Sequence, residues 1–168
     1  MYQSLFPSDE YDSAYDIDYY SYYEKGYRGI LFDVDNTLVE HGEPVTIRAI
    51  ELFGRLKETG FKTCIISNNK ECRVKPLADA LGSDYVYKAG KPSARGYLEG
   101  MEHMGTDART TLFVGDQIFT DILGANRAGI YSILVKPVAK HEEIQIVLKR
   151  RLEYFVLKKY YKLKKKTV

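Results

Sequence analysis

Asp33-Val34-Asp35-Asn36-Thr37 sets two carboxylates and a hydroxyl directly behind an apolar run, Gly29-Ile30-Leu31-Phe32. Residues two apart in an extended strand share a face, so Asp33, Asp35 and Thr37 are expected in one row where the chain leaves a sheet. Two like charges held that close are costly unless a cation or a reaction makes use of them. One carboxylate could attack as a nucleophile while the other moves a proton, with a hard divalent ion between them. A polar turn uses the same residue types, so the rest of the chain has to decide.

Three further polar groups follow apolar runs. Ser67-Asn68-Asn69 follows Cys64-Ile65-Ile66, and Lys91 follows Tyr85-Val86-Tyr87 after the short loop Lys88-Ala89-Gly90. Gly115-Asp116-Gln117, with Asp121 just beyond, follows Thr111-Leu112-Phe113-Val114. Each alone reads as a helix cap, a solvated lysine or a loop. Together they complete a site for moving a phosphoryl group, which needs an in-line nucleophile, cations on the equatorial oxygens and a proton donor for the leaving oxygen. A carboxylate supplies the first as an aspartyl-phosphate. A lysine and Mg²⁺ supply the second. No Gly-rich loop ending in Lys-Ser/Thr is present, which argues against a nucleotide-cradling P-loop.

Positioning these groups requires strands that alternate with helices. The pattern predicts strands over about Arg28–Val34, Lys62–Ser67, Tyr85–Tyr87, Thr111–Val114 and Tyr131–Val135. Helices are expected from Pro44 to about Thr59, Lys70 to Leu81, Pro92 to about Met104 and Ile118 to Ala128. The first carries Ile47, Ile50, Phe53 and Leu56 as its apolar stripe and Gly60 as its stop. Pro76 implies a kink or a late start in the second. Such alternation specifies an α/β fold, a Rossmann-like three-layer sandwich with a mostly parallel sheet, whose ligand site lies beyond the carboxyl ends of the strands.

At 168 residues, 45% apolar and 29% charged, the chain can bury a core without disulfide staples. Cys64 and Cys72 lack metal-pair spacing, and a reducing cytoplasm is the default expectation. No apolar run approaches the roughly 18 to 20 residues that span a bilayer, and Met1–Glu10 is unlike a secretory signal. The net charge of +2 conceals an asymmetry. Residues 1–28 hold six acids against two bases, whereas residues 136–168 hold eleven Lys and Arg against three Glu. Composition sets off a tyrosine-rich acidic lead (1–26) and a basic amphipathic C-terminal helix (139–168) from the strand–helix domain between them (27–138), which is expected to carry the catalytic groups.

The four motifs, in order, resemble those of the haloacid dehalogenase superfamily of phosphatases: Asp33-Val34-Asp35-Asn36-Thr37, Ile66-Ser67-Asn68, Lys91-Pro92, and Gly115-Asp116 followed by Asp121. The likeness covers roughly Tyr27 to Val135 and implies Mg²⁺-dependent hydrolysis of a phosphate ester. By that resemblance Asp33 is the nucleophile, and Asp35 protonates the leaving group and then activates water. Asp33, the main-chain carbonyl of Asp35, Asp116 and Asp121 are implied as the metal site. Ser67 and Lys91 are implied as phosphate grips, with Asn68 assisting. More narrowly, Leu5-Phe6-Pro7, Asp16-Ile17-Asp18, Gly115 to Asp121, Gly124 and Asn126-Arg127 are similar to the YqeG-like group of subfamily IIIA. Relatives of that group remove a phosphate from phosphatidylglycerophosphate.

The gaps between motifs hold little more than a helix and short loops, so no cap domain is expected. An uncapped rim suits a phosphate carried on something large. The tail leans toward lipid. Ile144, Val147, Leu148, Leu152, Phe155, Val156, Tyr160 and Leu163 recur at three to four, with Lys149, Arg150, Lys158, Lys162 and Lys165 largely away from them. Such a helix could lie on an anionic membrane or pack on the sheet with its charges in water. His41 is expected near the pocket mouth, and His103 and His141 have no clustered partners. The expectation is a phosphatase acting on a lipid head group at the inner membrane face, with no nucleic-acid partner. A soluble sugar, nucleotide or protein phosphatase and a non-catalytic phosphate-binding scaffold are the alternatives.

Overall fold

A computed structural model of the chain describes residues 3–139 and 144–165, without the side chains of Ile144–Lys149. His141 therefore lies outside the described residues, as do the side chains of Ile144, Val147, Leu148 and Lys149.

Six strands form one all-parallel sheet: β1 (Asp9–Tyr11), β2 (Gly29–Phe32), β3 (Lys62–Ile66), β4 (Asp84–Val86), β5 (Thr111–Gly115) and β6 (Tyr131–Val135). Their order is β1-β6-β5-β2-β3-β4. The chain runs outward from β2 through β3 and β4, then returns to β5 on the other side of β2. Strand order thus reverses between β2 and β5, where a ligand crevice is expected. Every residue of β2 and β5 is buried, because helices cover both faces.

Ile30, Phe32, Ile65, Leu112 and Val114 face α1 (Tyr19–Glu24), α2 (Ile47–Thr59) and α3 (Glu71–Leu81). Leu31, Cys64, Ile66 and Phe113 face α4 (Arg95–Met104) and α5 (Leu123–Arg127). A single π-helical turn, Ile118–Ile122, leads into α5. The last helix, α6 (Ile144–Lys164), reaches this turn through Val156 and Leu157 beside Ile118, Ile122 and Leu134.

Several expectations shift. In α2 the buried stripe is Ala49, Leu52, Phe53 and Leu56, while Ile47 and Ile50 are exposed. Thr46, not Pro44, opens that helix by accepting from the Ala49 amide at 3.2 Å. Pro76 lies inside α3 without delaying its start, and α4 begins three residues after Pro92. The composition boundary near residue 26 is not a structural one. The lead contributes β1, paired in parallel with β6 from Asp9 and Ile133 onward. It also contributes Tyr19 and Tyr22 to the core. Buried phenols need acceptors: Tyr22 donates to Asp9 at 2.8 Å and Tyr19 to the Ala14 carbonyl at 2.8 Å. The segments joining β2 to β3 and β3 to β4 carry one helix each and no inserted domain.

Candidate active site

The ladder between β2 and β5 continues one residue past β2, because the Asp33 amide donates to the Val114 carbonyl at 2.9 Å. The chain then folds back on itself. The amides of Thr37, Leu38 and Val39 all point at the Val34 carbonyl, and Asn36 turns the corner at φ 65°. Asn tolerates that left-handed conformation better than most residues. Tyr15, from the tyrosine-rich lead, braces the loop by donating to the Leu38 carbonyl at 2.7 Å. The loop seats the Thr37 hydroxyl 3.2 Å from Asp33 Oδ2 and 3.3 Å from Asp116 Oδ1.

Beyond β5, Asp121 folds back over the strand end. Its Oδ2 accepts from the amides of Asp116 and Gln117 at 3.2 and 3.1 Å. Residue 115 must be glycine for this, since a Cβ there would lie 2.6 Å from Asp121 Oδ2. Tyr97 of α4 fixes the same turn by donating to the carbonyls of Thr120 and Asp121 at 3.1 and 3.0 Å.

The two turns bring Asp33, Asp116 and Asp121 together, each buried and each offering one carboxylate oxygen within 4.8 Å of the others. Lys91 enters from the loop before α4, and its Nζ donates to Asp33 Oδ1 at 2.6 Å and Asp121 Oδ1 at 2.8 Å. Burial pushes the Asp33 carboxyl up to about 7, with Lys91 opposing and Asp121 adding to the rise. Asp116 is raised well above the usual carboxylate range by burial and by Asp121 and Asp33, against the pull of Arg150. Burial alone would lower Lys91, yet Asp121 and Asp33 hold it well above the ordinary lysine value. Three acids facing Lys91 and Arg150 leave this all-oxygen centre short of positive charge, which fits a hard divalent cation.

Asp35 departs from the row drawn by strand alternation. The strand ends at Phe32, so period two no longer applies past Asp33, and the Asp35 carboxylate swings to the rim. There Oδ1 accepts from Arg73 at 2.7 Å and from the Gly42 amide at 3.2 Å, and Oδ2 accepts from Asn69 at 2.8 Å. Its carboxylate is therefore not among the three clustered acids.

Asp33, Asp35, Ser67, Asn68 and Lys91 line one pocket of about 230 Å³. His41 stands at its mouth, 3.9 Å from Asp35. Asn68 is committed to its neighbour: its Oδ1 accepts from the Lys91 amide at 2.8 Å, and its Nδ2 donates to the Lys91 carbonyl at 3.1 Å. It steadies the lysine instead of offering both amide atoms to a phosphate. Ser67 Oγ accepts from the Asn69 amide at 3.1 Å, which leaves its hydroxyl proton to be donated elsewhere.

Asn69 belongs to the strand-end group Ser67-Asn68-Asn69 but carries no expected role of its own, and neither Arg73 nor Arg150 is marked by the sequence as part of the site. Arg73 lies shortly after that group and could be drawn from the proximity. Arg150 was expected in water on the helix surface, yet its guanidinium bonds the carbonyl and Oδ2 of Asp116. Nothing local in its sequence signals that partner. A larger cleft, about 650 Å³, lies among α6, β1 and β6 and touches Asp116 and Arg150. Asp33, Asp35, Ser67 and Lys91 line the smaller pocket.

A family model described as a haloacid dehalogenase-like hydrolase matches residues 45–129. The chain is 41% identical over 135 residues to the probable phosphatase YqeG of Bacillus subtilis, covering 80% of this chain and 78% of that protein. The chain belongs to the haloacid dehalogenase-like hydrolase family. It is also 31% identical over 150 residues to the Arabidopsis thaliana phosphatidylglycerophosphate phosphatase 1, covering 81% of this chain but 42% of that longer protein. Among solved structures, it shares its fold with the Moraxella catarrhalis 3-deoxy-D-manno-octulosonate 8-phosphate phosphatase, crystallised with magnesium, phosphate and sugar. That match has a TM-score of 0.51 at 19% identity over 70% or so of each chain, 67% of this one and 71% of that one. The α/β fold with a parallel sheet expected from the sequence is the one the structure has and shares with that phosphatase.

Proposed function

We propose that this hydrolase is a Mg²⁺-dependent phosphomonoesterase that works through an aspartyl-phosphate on Asp33, with phosphatidylglycerophosphate as its substrate. The observation that carries the reading is the clustering of the Asp33, Asp116 and Asp121 carboxylates, with Lys91 bonded to Asp33 and Asp121, beside a pocket lined by Asp33, Asp35, Ser67 and Lys91. A carboxylate oxygen of Asp33 attacks phosphorus, and the bond from phosphorus to the ester oxygen breaks. Asp35, on the rim of the same pocket, gives its proton to the departing alkoxide. The Asp35 carboxylate then takes a proton from water, whose oxygen attacks phosphorus and releases phosphate from Asp33. Lys91 and the Ser67 hydroxyl hold the phosphoryl oxygens, Asn68 keeps Lys91 in place, and the pocket walls keep bulk water from the acids. Asp33, Asp116, Asp121 and the Asp35 carbonyl would hold Mg²⁺, which supplies charge neutralisation to the phosphoryl group.

The lipid assignment rests on sequence similarity to the phosphatidylglycerophosphate phosphatase and on the exposed side of α6. Arg151, Leu152, Phe155, Lys158, Lys159 and Lys162 line that side, all exposed. A basic face with apolar residues among its charges suits an anionic membrane surface, each nearby cation contributing about 1 kcal/mol. Among the described residues no helix is long and apolar enough to cross a membrane. The proposed site of action is peripheral, at the cytoplasmic face, with the basic side of α6 as the contact. The test is phosphate release from phosphatidylglycerophosphate in mixed micelles, compared with soluble sugar and nucleotide monophosphates, each with Mg²⁺ and with chelator. Preference for the lipid is expected. Equal or greater kcat/KM on a soluble phosphate would overturn the substrate, and full turnover in chelator would overturn the mechanism.

A further inference from the structure

Arg150 and Glu153 sit one turn apart on α6 and grip the turn that carries Asp116. The Arg150 guanidinium bonds both the main-chain carbonyl and the Oδ2 of Asp116, and is itself held by Glu153 Oε2 at 3.1 Å. Glu153 Oε1 accepts from the Ile118 amide at 2.7 Å. Glu153 and Asp116 are 5% and 1% exposed, so these bonds are made largely out of water.

We propose that Arg150 and Glu153 are positioning residues that lock Asp116 in the orientation needed to bind the cation. The inference rests on the cation site proposed above. A carboxylate on a turn can rotate. With Oδ2 and the carbonyl held by one rigid guanidinium, Oδ1 is the oxygen left facing the Thr37 hydroxyl, at 3.3 Å. A planar fork can hold two acceptors of one residue at once, which an ammonium on a flexible stem cannot reproduce. Partners that orient a ligand in this way typically change metal affinity 10- to 100-fold, on the order of what is expected here.

Charge and orientation predict opposite signs. A cation beside Asp116 repels Mg²⁺, so if Arg150 were only a counter-charge, its removal would tighten Mg²⁺ binding. If Arg150 positions the ligand, removal weakens it. The experiment is calorimetric titration of the full-length chain with Mg²⁺ for wild type, R150A and R150K, alongside metal-free melting curves. Both variants are expected to raise the Mg²⁺ Kd about tenfold or more, with R150K no better than partly restored although its charge is intact. The Mg²⁺ concentration giving half-maximal phosphate release should rise in parallel. Unchanged or tighter binding in R150A, or wild-type binding in R150K, would overturn the proposal. So would failure of both variants to fold, because the clamp would then serve the fold and not the ligand. Wild type that binds no Mg²⁺ overturns it as well. Wild type that binds Mg²⁺ yet hydrolyses no phosphomonoester would refute the proposed reaction and leave the clamp testable by the same titration.

Discussion

Asp33→Asn should abolish turnover and, in metal-free protein at pH 8, raise thermal stability. The native Asp33 carboxyl is pushed from 3.8 to about 7, first by burial. With the folded value raised, the group's contribution is fully present below about pH 4 and lost as pH rises through about 7. At roughly 1.4 kcal/mol for each tenfold change in proton affinity, that loss is at most about 4 kcal/mol. Asparagine is neutral at every pH. Its Oδ1 can still accept from Lys91 Nζ, and its Nδ2 can donate to the Thr37 hydroxyl, which is free to turn its own proton to Asp116. Some ion pairing with Lys91 is forfeited, so we expect about half the figure, ~2 kcal/mol, to appear as a gain. At roughly 2–4 °C per kcal/mol for a chain of this size, Tm should rise about 4–8 °C in chelator at pH 8. The advantage should shrink on moving to pH 5, where wild-type Asp33 is protonated, and Mg²⁺ should stabilise the variant less than wild type. Thermal denaturation at the two pH values, with and without Mg²⁺, reads all three. A variant that melts below wild type in chelator at pH 8, or whose advantage is the same at pH 5, would refute this account of the buried acids.

Asp35→Asn should cut turnover of alkyl phosphates by about 10²- to 10⁴-fold; with 4-nitrophenyl phosphate, whose nitrophenolate leaves without a proton, an initial burst of nitrophenolate should survive while steady-state turnover falls, because the same carboxylate activates water in the second step. Its Mg²⁺ affinity should stay close to wild type, since the Asp35 carboxylate stands outside the three-acid cluster; a large rise in Kd would contradict that geometry. The triple variant K158E/K159E/K162E should lose flotation with phosphatidylglycerol vesicles while its turnover of 4-nitrophenyl phosphate is unaltered, and retained flotation would remove α6 as the docking face. Gly124→Ala would set a Cβ 2.5 Å from the Tyr97 ring that braces Asp121, and overpacking of this kind costs about 1–3 kcal/mol. A melting temperature equal to wild type would show that Tyr97 can move.

The central strands were legible because each is a short aliphatic run ending in a polar group, and burial on both faces leaves no alternation to confuse the reading. The order Asp33, Ser67, Lys91, Asp116 along the chain then became proximity in space, since parallel strands put all their carboxyl ends on one rim. β1 was not legible. Asp9-Glu10-Tyr11 has no apolar pattern, and its existence depends on pairing with β6, far away in sequence. The stripe of α2 was misread because 47-50-53-56 and 49-52-53-56 share two members. The loop and the lead that pack on the helix choose between them, which local periodicity does not record. Asp35 was misdirected by extending strand alternation past the last strand residue. Arg150 was invisible for a related reason: an ion pair between segments so distant leaves no local signature.

The absence of an inserted domain has a consequence for where selectivity can arise. Asp116 and Asp121 are each 1% exposed and Asp33 8%, so the charged centre is already withdrawn from water by Tyr97, the 34–39 loop and α6. A closing lid is not needed to strengthen its electrostatics. Exposure rises toward the pocket rim, where the Asp35 side chain is 13% and His41 55% exposed. A small pocket with one open end can grip a phosphoryl group, but it encloses little of what that group is attached to. Discrimination among phosphomonoesters must then come from the rim residues around Asp35 or from the surface that presents the substrate. The first predicts that Arg73→Ala and His41→Ala change the ranking of soluble substrates. The second predicts that they do not, and that the same enzyme gains selectivity only when the phosphate lies in a bilayer that α6 can reach.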